Sequence, residues 1–287
     1  MDLTGFAEEV GSSGEVGALG LGTRGGCRAG VRCVSPPSGI DWFQPDEMTV
    51  SCAAGTPVEV LFAALAEHGQ GVALPAGGTV GGALSVGHSA PSRLGRGPIR
   101  DTVLQARFVS AAGEVVTAGG PTVKNVTGFD LCRLLVGARG SLGLVGDVIL
   151  RTRPLPASSG WFAGAADPFV VLRRLYRPAA VLWDGTTTWV CLEGDPRDVA
   201  DQAAVCGLPA VDGPPDLPTG GRWALRPAEL PSLPALGGRF VAEVGVGIVH
   251  HESPPPVGPV DAAVREVERR IKHELEPDGR FGPTPGA

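Results

Sequence analysis

The chain has 287 residues, a formal net charge of −6, 44 glycines and 27 prolines. This length is sufficient to bury a full core and to form two domains. The acidic balance, with no basic stripe, lacks the electrostatic signature of a nucleic-acid-binding protein. The apolar runs are too short to span a bilayer and the first residues do not follow the pattern of a secretory signal, so we expect a cytoplasmic protein without a transmembrane segment.

The first half of the chain predicts strands around one clear helix. Residues 48–53 predict a strand, and Thr56–Glu59 then predicts a capping box with Pro57 at the first helical position. Apolar residues at helical spacing continue from there until Gly69, which predicts the end of the helix.

A hairpin and a last strand complete the first predicted domain. Residues 102–109 and 114–117 flank the turn dipeptide Ala112-Gly113, which predicts two antiparallel strands. Residues 148–152 predict another strand, which ends at two prolines that stop regular pairing. We therefore predict a first domain at residues 1–155.

The second half predicts a small α+β domain of split βαβ type at residues 156–258. Its predicted strands are residues 160–163, 180–183, 187–192 and 240–249, and its predicted helices are residues 168–176, behind an Asp167 cap, and 196–206. Residues 208–238 are rich in proline and glycine and predict an inserted loop. The remaining residues 259–287 predict a helix at 260–275 and a tail.

The six cysteines are scattered without a Cys-x-x-Cys pair or a histidine at ligand spacing, so we predict free thiols and no metal site. Residues Gly245–His251 add two adjacent histidines near the end of the second domain. Neighbouring residues on a strand point to opposite faces, so these histidines are not expected to chelate one ion.

Glycine-rich segments carry the main functional signal. Gly20-Leu21-Gly22-Thr23-Arg24-Gly25 matches the pattern G-x-G-x-x-G, but the glycines and prolines that follow do not predict the helix that a Rossmann site requires. Such a loop either forms a plain surface turn or cradles a diphosphate through its backbone N–H groups. Thr79-Val80-Gly81-Gly82, residues 124–130 and residues 140–145 have a similar composition, which lets backbone approach a large flat ligand.

In their order along the chain, these segments resemble the flavoproteins of the vanillyl-alcohol oxidase and p-cresol methylhydroxylase (PCMH) type. Within that group, the resemblance is strongest to the family of the second FAD-binding subunit of bacterial glycolate oxidases. It also includes the Ala54–Pro57 turn, Arg100–Leu104 and the tail residues 270–279. The resemblance implies an α+β fold: a PCMH-type FAD-binding domain of two subdomains, a small cap domain, and a carboxyl-terminal helix and tail that pack back on the FAD domain.

The resemblance also implies where FAD would lie. The pyrophosphate would contact Gly20–Arg24 and Thr79–Gly82, the adenine would lie near residues 143–145, and the isoalloxazine would lie near residues 125–129. The cofactor-binding residues implied in this way are Gly20, Gly22, Thr23, Arg24, Thr79, Gly81, Gly82, Asn125, Gly128, Phe129, Gly143, Leu144 and Val145. The first glycine loop lacks the histidine through which relatives often attach flavin, so we expect FAD to be bound non-covalently.

Two functions are weighed at the level of the sequence, and a reductase of cell-wall precursors on the same fold is a third option, although no residue indicates its nicotinamide chemistry. The chain is either an FAD-dependent oxidoreductase subunit that oxidises a small 2-hydroxy acid, or a non-catalytic flavin-binding subunit that relays electrons for a catalytic partner. Both imply a larger flavin subunit and an iron–sulfur subunit as partners. The residues considered for substrate are the carboxylate-binding candidates Arg93, Arg96 and Arg139 and the base candidates His68 and His88, and no catalytic residue is assigned among them.

Overall fold

The computed structural model describes residues 1–120, 131–256 and 261–282. The chain divides into two compact units. Unit 1 consists of Met1–Ala90, Pro98–Leu155 and Val260–Ala287, and unit 2 consists of Pro91–Gly97 and Pro156–Pro259.

The described residues form nine helices and sixteen strands, with two 3₁₀ turns. The helices are α1 (Thr4–Val10), α2 (Val58–Ala66), α3 (Val80–Val86), α4 (Arg93–Arg96), α5 (Leu131–Leu135), α6 (Pro168–Arg174), α7 (Pro196–Cys206), α8 (Leu233–Leu236) and α9 (Ala262–Leu275), with 3₁₀ turns at Ile99–Thr102 and Pro227–Ser232. The strands are β1 (Val16–Ala18), β2 (Arg32–Val34), β3 (Ile40–Gln44), β4 (Thr49–Ala53), β5 (Gln70–Gly71), β6 (Val103–Val109), β7 (Val115–Gly119), β8 (Leu144–Arg151), β9 (Arg153–Pro154), β10 (Ser158–Gly164), β11 (Ala180–Trp183), β12 (Thr188–Gly194), β13 (Ala210–Val211), β14 (Gly221–Ala224), β15 (Phe240–Glu243) and β16 (Ile248–His251).

The main sheet of unit 1 has five antiparallel strands in the order β3-β4-β8-β6-β7. Every residue of β4 is buried, and α2 packs Val58, Leu61 and Leu65 into the same core. The predicted strand at residues 48–53, the hairpin around Ala112-Gly113 and the strand at residues 148–152 are confirmed as β4, β6–β7 and the end of β8.

The predicted capping box at the start of α2 is wrong. The helix begins at Val58 after Pro57, and its N-cap makes no side-chain hydrogen bond. The Thr56 hydroxyl instead exchanges hydrogen bonds with the backbone N–H and carbonyl of Gly39, at 2.9 and 3.0 Å. Glu59 accepts a hydrogen bond of 2.6 Å from the Gly77 N–H. Both side chains form hydrogen bonds with backbone groups of neighbouring loops, and a local capping pattern does not reveal these contacts.

The carboxyl-terminal segment of unit 1 is fastened to its amino-terminal segment by Arg280. This arginine is only 4% exposed, and its guanidinium donates to the carbonyl oxygens of Val10, Gly11, Ser13, Gly14 and Ala111. Its backbone carbonyl accepts from Val16 N–H at 3.0 Å. Burial lowers the pKa of Arg280 from its ordinary value, and the carbonyl oxygens replace the water that a buried guanidinium loses.

Unit 2 is built on a seven-stranded antiparallel sheet in the order β13-β10-β12-β11-β15-β16-β14. Strands β10 and β11 are joined through α6 and lie on either side of β12, which is the predicted split βαβ arrangement. Asp167 caps α6 by accepting from the N–H groups of Phe169 and Val170. The predicted helix at residues 196–206 and the predicted strand at residues 180–183 are confirmed as α7 and β11.

Two predictions for unit 2 are wrong. The late strand predicted at residues 240–249 is a hairpin of β15 and β16, since the glycines at 245 and 247 have positive φ angles that turn the chain back. Residues 208–238, predicted as an inserted loop, contain β13, β14, a 3₁₀ turn and α8. Their high proline and glycine content reflects the ends of short elements and does not indicate an unstructured segment.

The prediction of six free cysteines is also wrong. Cys27 and Cys33 form a disulfide with a Cα–Cα distance of 6.1 Å, whereas Cys52, Cys132, Cys191 and Cys206 are free. The bond joins a loop residue to strand β2, and this fold-dependent approach cannot be read from a separation of six residues.

Candidate functional site

Unit 1 contains a cleft of about 520 Å³. Nine of the residues predicted to bind cofactor line it, namely Gly20, Gly22, Thr23, Arg24, Thr79, Gly81, Gly82, Leu144 and Val145. Gly143 is not among the lining residues. Asn125, Gly128 and Phe129 lie outside the described residues. The structure therefore brings together in one cleft three segments that are up to 125 positions apart in sequence (Gly20 to Val145).

The first wall of the cleft is the loop that joins β1 to β2. These two strands are parallel, and Gly17 pairs with Cys33 in their register. The loop between them contains the segment Gly20–Gly25, and no helix follows, as the sequence predicted. A Cβ atom at Gly20 would lie 2.6 Å from the Thr79 hydroxyl oxygen. Glycine at this position therefore allows the first glycine loop to contact the second.

The second wall is the turn into α3. Its glycines allow close packing against the turn after β4, and they also leave room for a ligand. Thr79 caps α3 by accepting from the Gly82 N–H at 3.1 Å, and the Gly81 N–H donates to the Ala54 carbonyl at 2.7 Å. A Cβ atom at Gly81 would lie 2.7 Å from the Ala54 Cβ atom. The N–H groups of Gly81 and Gly82, two residues that the resemblance places beside the pyrophosphate, thus already have protein partners, and what the glycines contribute is space.

Arg24 connects the first glycine loop to the turn before Thr79. Its guanidinium donates to the carbonyl oxygens of Gly77 and Ala76, the latter at 2.7 Å. Burial lowers the pKa of Arg24, and the nearby Glu59 carboxylate acts in the opposite direction. Because Glu59 also holds the Gly77 N–H, the two side chains fix the same turn from two sides. Arg24 thus lines the cleft and also positions the turn that precedes Thr79.

Two further arginines reach the cleft, and the sequence did not assign either to the cofactor. Arg28 lies in the first glycine loop and forms an exposed ion pair with Glu15 at 3.2 Å. Arg139 has a positive φ of 51°, and its N–H donates to the Ser85 carbonyl at 2.8 Å. The described lining residues include these arginines and Arg24 but no aspartate or glutamate. The positive charge of these side chains suits a negatively charged diphosphate.

The third wall is the start of β8. Leu144 and Val145 are buried and line the cleft, whereas Gly143 packs against Phe108. A Cβ atom at Gly143 would lie 2.9 Å from Phe108 Cε2. Glycine is needed there to let β8 enter the sheet beside β6, which is a packing role that places its two neighbours in the cleft.

Unit 2 carries a separate cluster of charged groups that the sequence did not predict. Glu243 is 1% exposed, and its Oε1 atom is 2.8 Å from Nε2 of His250. Arg222 lies directly opposite His250 in the pairing of β14 with β16, so both side chains project from the same face of the sheet. Burial lowers the pKa of Arg222, and the charge of Glu243 opposes that change. We call Arg222, Glu243 and His250 the charged face of unit 2.

Two buried atoms of this charged face have unused hydrogen-bonding capacity. Within the described residues, neither Oε2 of Glu243 nor Nε of Arg222 has a hydrogen-bond partner. A carboxylate oxygen accepts and a guanidinium N–H donates, so a ligand that carries both a hydroxyl and a carboxylate would satisfy both. An imidazole held by a carboxylate is also suited to accept a proton.

The residues that the sequence considered for substrate have other contacts. Arg96 pairs with Glu193 through two hydrogen bonds of 3.0 and 2.5 Å within unit 2. His68 packs edge-on against Phe43 with a centroid distance of 5.1 Å. His251 points away from His250, since it stacks on Trp223 and accepts from the Ser253 N–H. The two histidines thus lie on opposite faces, as predicted from strand geometry.

Neither a metal centre nor a membrane span has a candidate in the described part of the chain. No group of three or more histidine, cysteine, aspartate or glutamate side chains is placed there to hold a metal ion. No helix there has the length and apolar character needed to cross a membrane.

Comparison with protein families identifies the cofactor. Residues 33–119 match the FAD binding domain family FAD_binding_4. The glycolate oxidase subunit GlcE of Escherichia coli K12 is 37% identical over 136 residues, which are 45% of this chain and 37% of that protein. The D-2-hydroxyglutarate dehydrogenase of Xanthomonas citri pv. viticola is 29% identical over 140 residues, covering 47% of this chain and 29% of that protein. The matched part of the chain spans about a third of the length of these relatives.

Solved structures with the same fold cover more of the chain. An alkyldihydroxyacetonephosphate synthase superposes with a TM-score of 0.68 at 12% identity, over 94% of this chain and 71% of that chain. The glucose dehydrogenase Phl p 4.0202 superposes with a TM-score of 0.51 at 16% identity, over 68% and 45% of the two chains. The resemblance to PCMH-type flavoproteins is thus confirmed, as are the α+β fold class and FAD as the cofactor.

Proposed function

We propose that this chain, which carries a PCMH-type FAD-binding domain at residues 33–119, is the FAD-binding subunit of a glycolate-oxidase-like complex that oxidises a small 2-hydroxy acid. In this proposal the chain works with a larger flavin subunit and an iron–sulfur subunit. The relatives that support it are two proteins named as glycolate oxidase subunits, GlcE of Escherichia coli and GlcD of Bacillus subtilis, the second 37% identical over 78 residues.

The observation that carries the proposal is the composition of the cleft in unit 1. Its walls are glycine turns that approach one another closely, and its described charged lining consists of arginines. Backbone without side chains admits a flat ring system and a phosphate chain, while arginines bind phosphate oxygens through paired N–H donors. We assign the diphosphate of FAD to the end of the cleft formed by the first glycine loop and the turn at Thr79.

FAD is proposed to be held without a covalent bond. The described lining residues include no histidine or tyrosine, and their one cysteine is Cys27, whose sulfur is bonded to Cys33. No imidazole, phenol or free thiol among them is therefore available to attach the flavin ring.

When bound, FAD supplies the two-electron oxidation, and the protein supplies orientation and proton transfer. For a 2-hydroxy acid, the charged face of unit 2 offers the required groups. Arg222 would bind the carboxylate, and Glu243 and His250 would hold the hydroxyl group, in a binding site within unit 2 itself. We propose these roles from the unused donor and acceptor on this face.

An electron-relay subunit without substrate of its own is the second candidate. The turn between β15 and β16, Val244–Gly247, favours this candidate. Its only side chains beyond hydrogen are those of two valines, so it adds no metal-coordinating group to Glu243 and His250. In that case the chain would bind FAD but would not exchange electrons with a hydroxy acid on its own.

A spectrum of the purified chain tests the cofactor assignment first. We expect flavin absorbance, and after acid precipitation we expect the yellow colour to stay in solution. Colour in the pellet would contradict non-covalent binding, and a colourless protein that cannot be reconstituted with FAD would contradict the proposed function.

Anaerobic mixing with glycolate or D-lactate separates the two candidates. We expect slow or absent bleaching of the flavin by the lone chain, and turnover with a dye acceptor once the two partner subunits are supplied. Rapid bleaching by the lone chain would show that it needs no partner. Equal turnover of a complex that carries Arg222→Met would favour the relay function.

A further inference from the structure

We propose that Cys27 and Cys33 form a thiol–disulfide exchange site whose redox state controls how firmly the chain holds FAD. This proposal rests on the assignment of FAD to the cleft of unit 1. Its ligand class is a small thiol or its disulfide, which would react at the edge of the cofactor cleft.

The disulfide lies within the loop that forms the first wall of the cleft. That loop leaves β1 after Ala18 and returns to β2 at Arg32, beside the strand it left. Cys33 lies within β2 and is paired with Gly17, whereas Cys27 lies in the loop and lines the cleft. The bond therefore fastens a lining residue to a residue of the two-stranded sheet.

Apart from the disulfide, the second half of the loop is held by the exposed ion pair between Arg28 and Glu15 and by a hydrogen bond of 3.1 Å from the Val31 N–H to the Arg28 carbonyl. The loop contains Gly20, Gly22, Gly25, Gly26 and Gly30, and glycine loses more conformational freedom on ordering than any other residue. Arg24 ties the first half to the carbonyls of Ala76 and Gly77, but that contact lies before the second half begins. The disulfide supplies the corresponding constraint after Gly26. Breaking it frees Cys27 and leaves Arg28, which also lines the cleft, held only by exposed or local contacts.

The two sulfur atoms also differ from the other thiols in their access to solvent. Cys33 is exposed and Cys27 is half-buried, whereas Cys52, Cys132 and Cys191 are buried. Burial raises the pKa of Cys52 to about 12 and that of Cys191 to about 11, so neither forms much thiolate near neutral pH. A small reagent therefore reaches the Cys27–Cys33 pair before these three.

The exchange balances without any other reactant. Two molecules of a small thiol transfer two electrons to the bond between Cys27 and Cys33, which breaks. Their own sulfur atoms join in a new disulfide, and their two protons pass to the cysteine thiolates. The reverse step consumes one small disulfide and restores the bond.

The test measures FAD binding in both redox states. Apoprotein equilibrated with glutathione disulfide or with dithiothreitol is titrated with FAD by fluorescence quenching, and the state of each cysteine is verified by alkylation and mass spectrometry. We expect the dissociation constant to rise roughly tenfold on reduction, since the freed loop must be ordered when FAD binds. Cys27→Ser and Cys33→Ser are each expected to bind FAD like the reduced protein and to lose the response.

Cys206→Ser is the matched control, because Cys206 is a partly exposed thiol in unit 2 outside the disulfide. It is expected to keep the full response, and circular dichroism of the reduced protein is expected to show an unchanged fold. Equal FAD affinity in two verified redox states, or a response that persists in Cys27→Ser, would overturn the exchange site alone. Failure to bind FAD in either state would overturn the proposed function as well.

Discussion

The cleft of unit 1 is shaped by backbone, whereas the charged face of unit 2 is shaped by side chains on neighbouring strands. In the cleft, glycines at positions 20 and 81 permit contacts that any Cβ atom would block. On the charged face, Arg222, Glu243 and His250 come from three strands and depend on their pairing. The comparison shows that an added atom is costly where two walls of the cleft are in contact, whereas a lost partner is costly on the charged face.

The largest effect is expected from Gly81→Val. The added side chain would meet the Ala54 Cβ atom and carbonyl at 2.7 and 2.9 Å, and both belong to the buried turn after β4. The variant should lose nearly all bound FAD, measured as flavin absorbance per protein. Gly213→Val in unit 2 is the control, because a Cβ atom there meets nothing within 4 Å. Equal flavin content in the two variants would contradict the backbone-built cleft.

Arg222→Met should separate the two regions most clearly. It removes the cation of the charged face but leaves unit 1 unchanged, so flavin content should stay normal. Loss of a charged hydrogen bond to substrate costs about 1.5–3 kcal/mol, so kcat/KM of the complete complex should fall roughly tenfold to a hundredfold. Arg226→Met is the control, since Arg226 forms an exposed pair with Glu229 on the surface of the same unit. A loss of FAD from the Arg222 variant would contradict separate roles.

Arg139→Met tests the charge of the cleft, with a moderate effect expected. Removing one partly hydrated phosphate contact should weaken FAD binding by a factor of about 3–10 and reduce its salt dependence. Arg177→Met is a matched control, because Arg177 has a nearly equal positive φ of 49° but lies in unit 2. Similar FAD affinity in the two variants, by titration of apoprotein, would remove Arg139 from the cofactor site.

The smallest effect is expected from Gly82→Ala. A Cβ atom at Gly82 meets only the Thr79 hydroxyl oxygen, at 3.1 Å, and the backbone φ is not in the positive region. The variant should retain FAD with an affinity within about threefold of the parent, since a shift of a few tenths of an ångström in the Thr79 hydroxyl has a small free-energy cost. Loss of flavin comparable to that of Gly81→Val would indicate that the cofactor lies directly against Gly82.

The sequence predicts the cleft better than the charged face for a physical reason. Close approach of backbone demands glycine, so Gly20, Gly81 and Gly82 are visible as local patterns. The charged face has no local pattern, because Glu243 and His250 meet only through the turn between β15 and β16, which was predicted as one strand. Arg222 lies on β14, inside a segment that the sequence predicted to be a loop. Pairing between strands cannot be derived from composition alone.

The same limit explains the missed disulfide and the misassigned helix start. Cys27 and Cys33 approach because β1 and β2 are parallel neighbours, and no spacing rule encodes that arrangement. Thr56 and Glu59 have the residue types of a capping box, but Gly39 and Gly77 offer them competing backbone partners. In both places, contacts with other segments of the fold determine the structure, and the local residue pattern does not.

The clasp made by Arg280 sets an order of events during synthesis of the chain. Carbonyl groups of residues 10–14 are made between 266 and 270 residues before the guanidinium group that binds them. The first wall of the cleft begins at β1, whose Val16 N–H also waits for the Arg280 carbonyl. Contacts of such sequence separation form late in folding. A nascent chain should therefore remain unable to complete the first wall of the cleft until Arg280 has been synthesised.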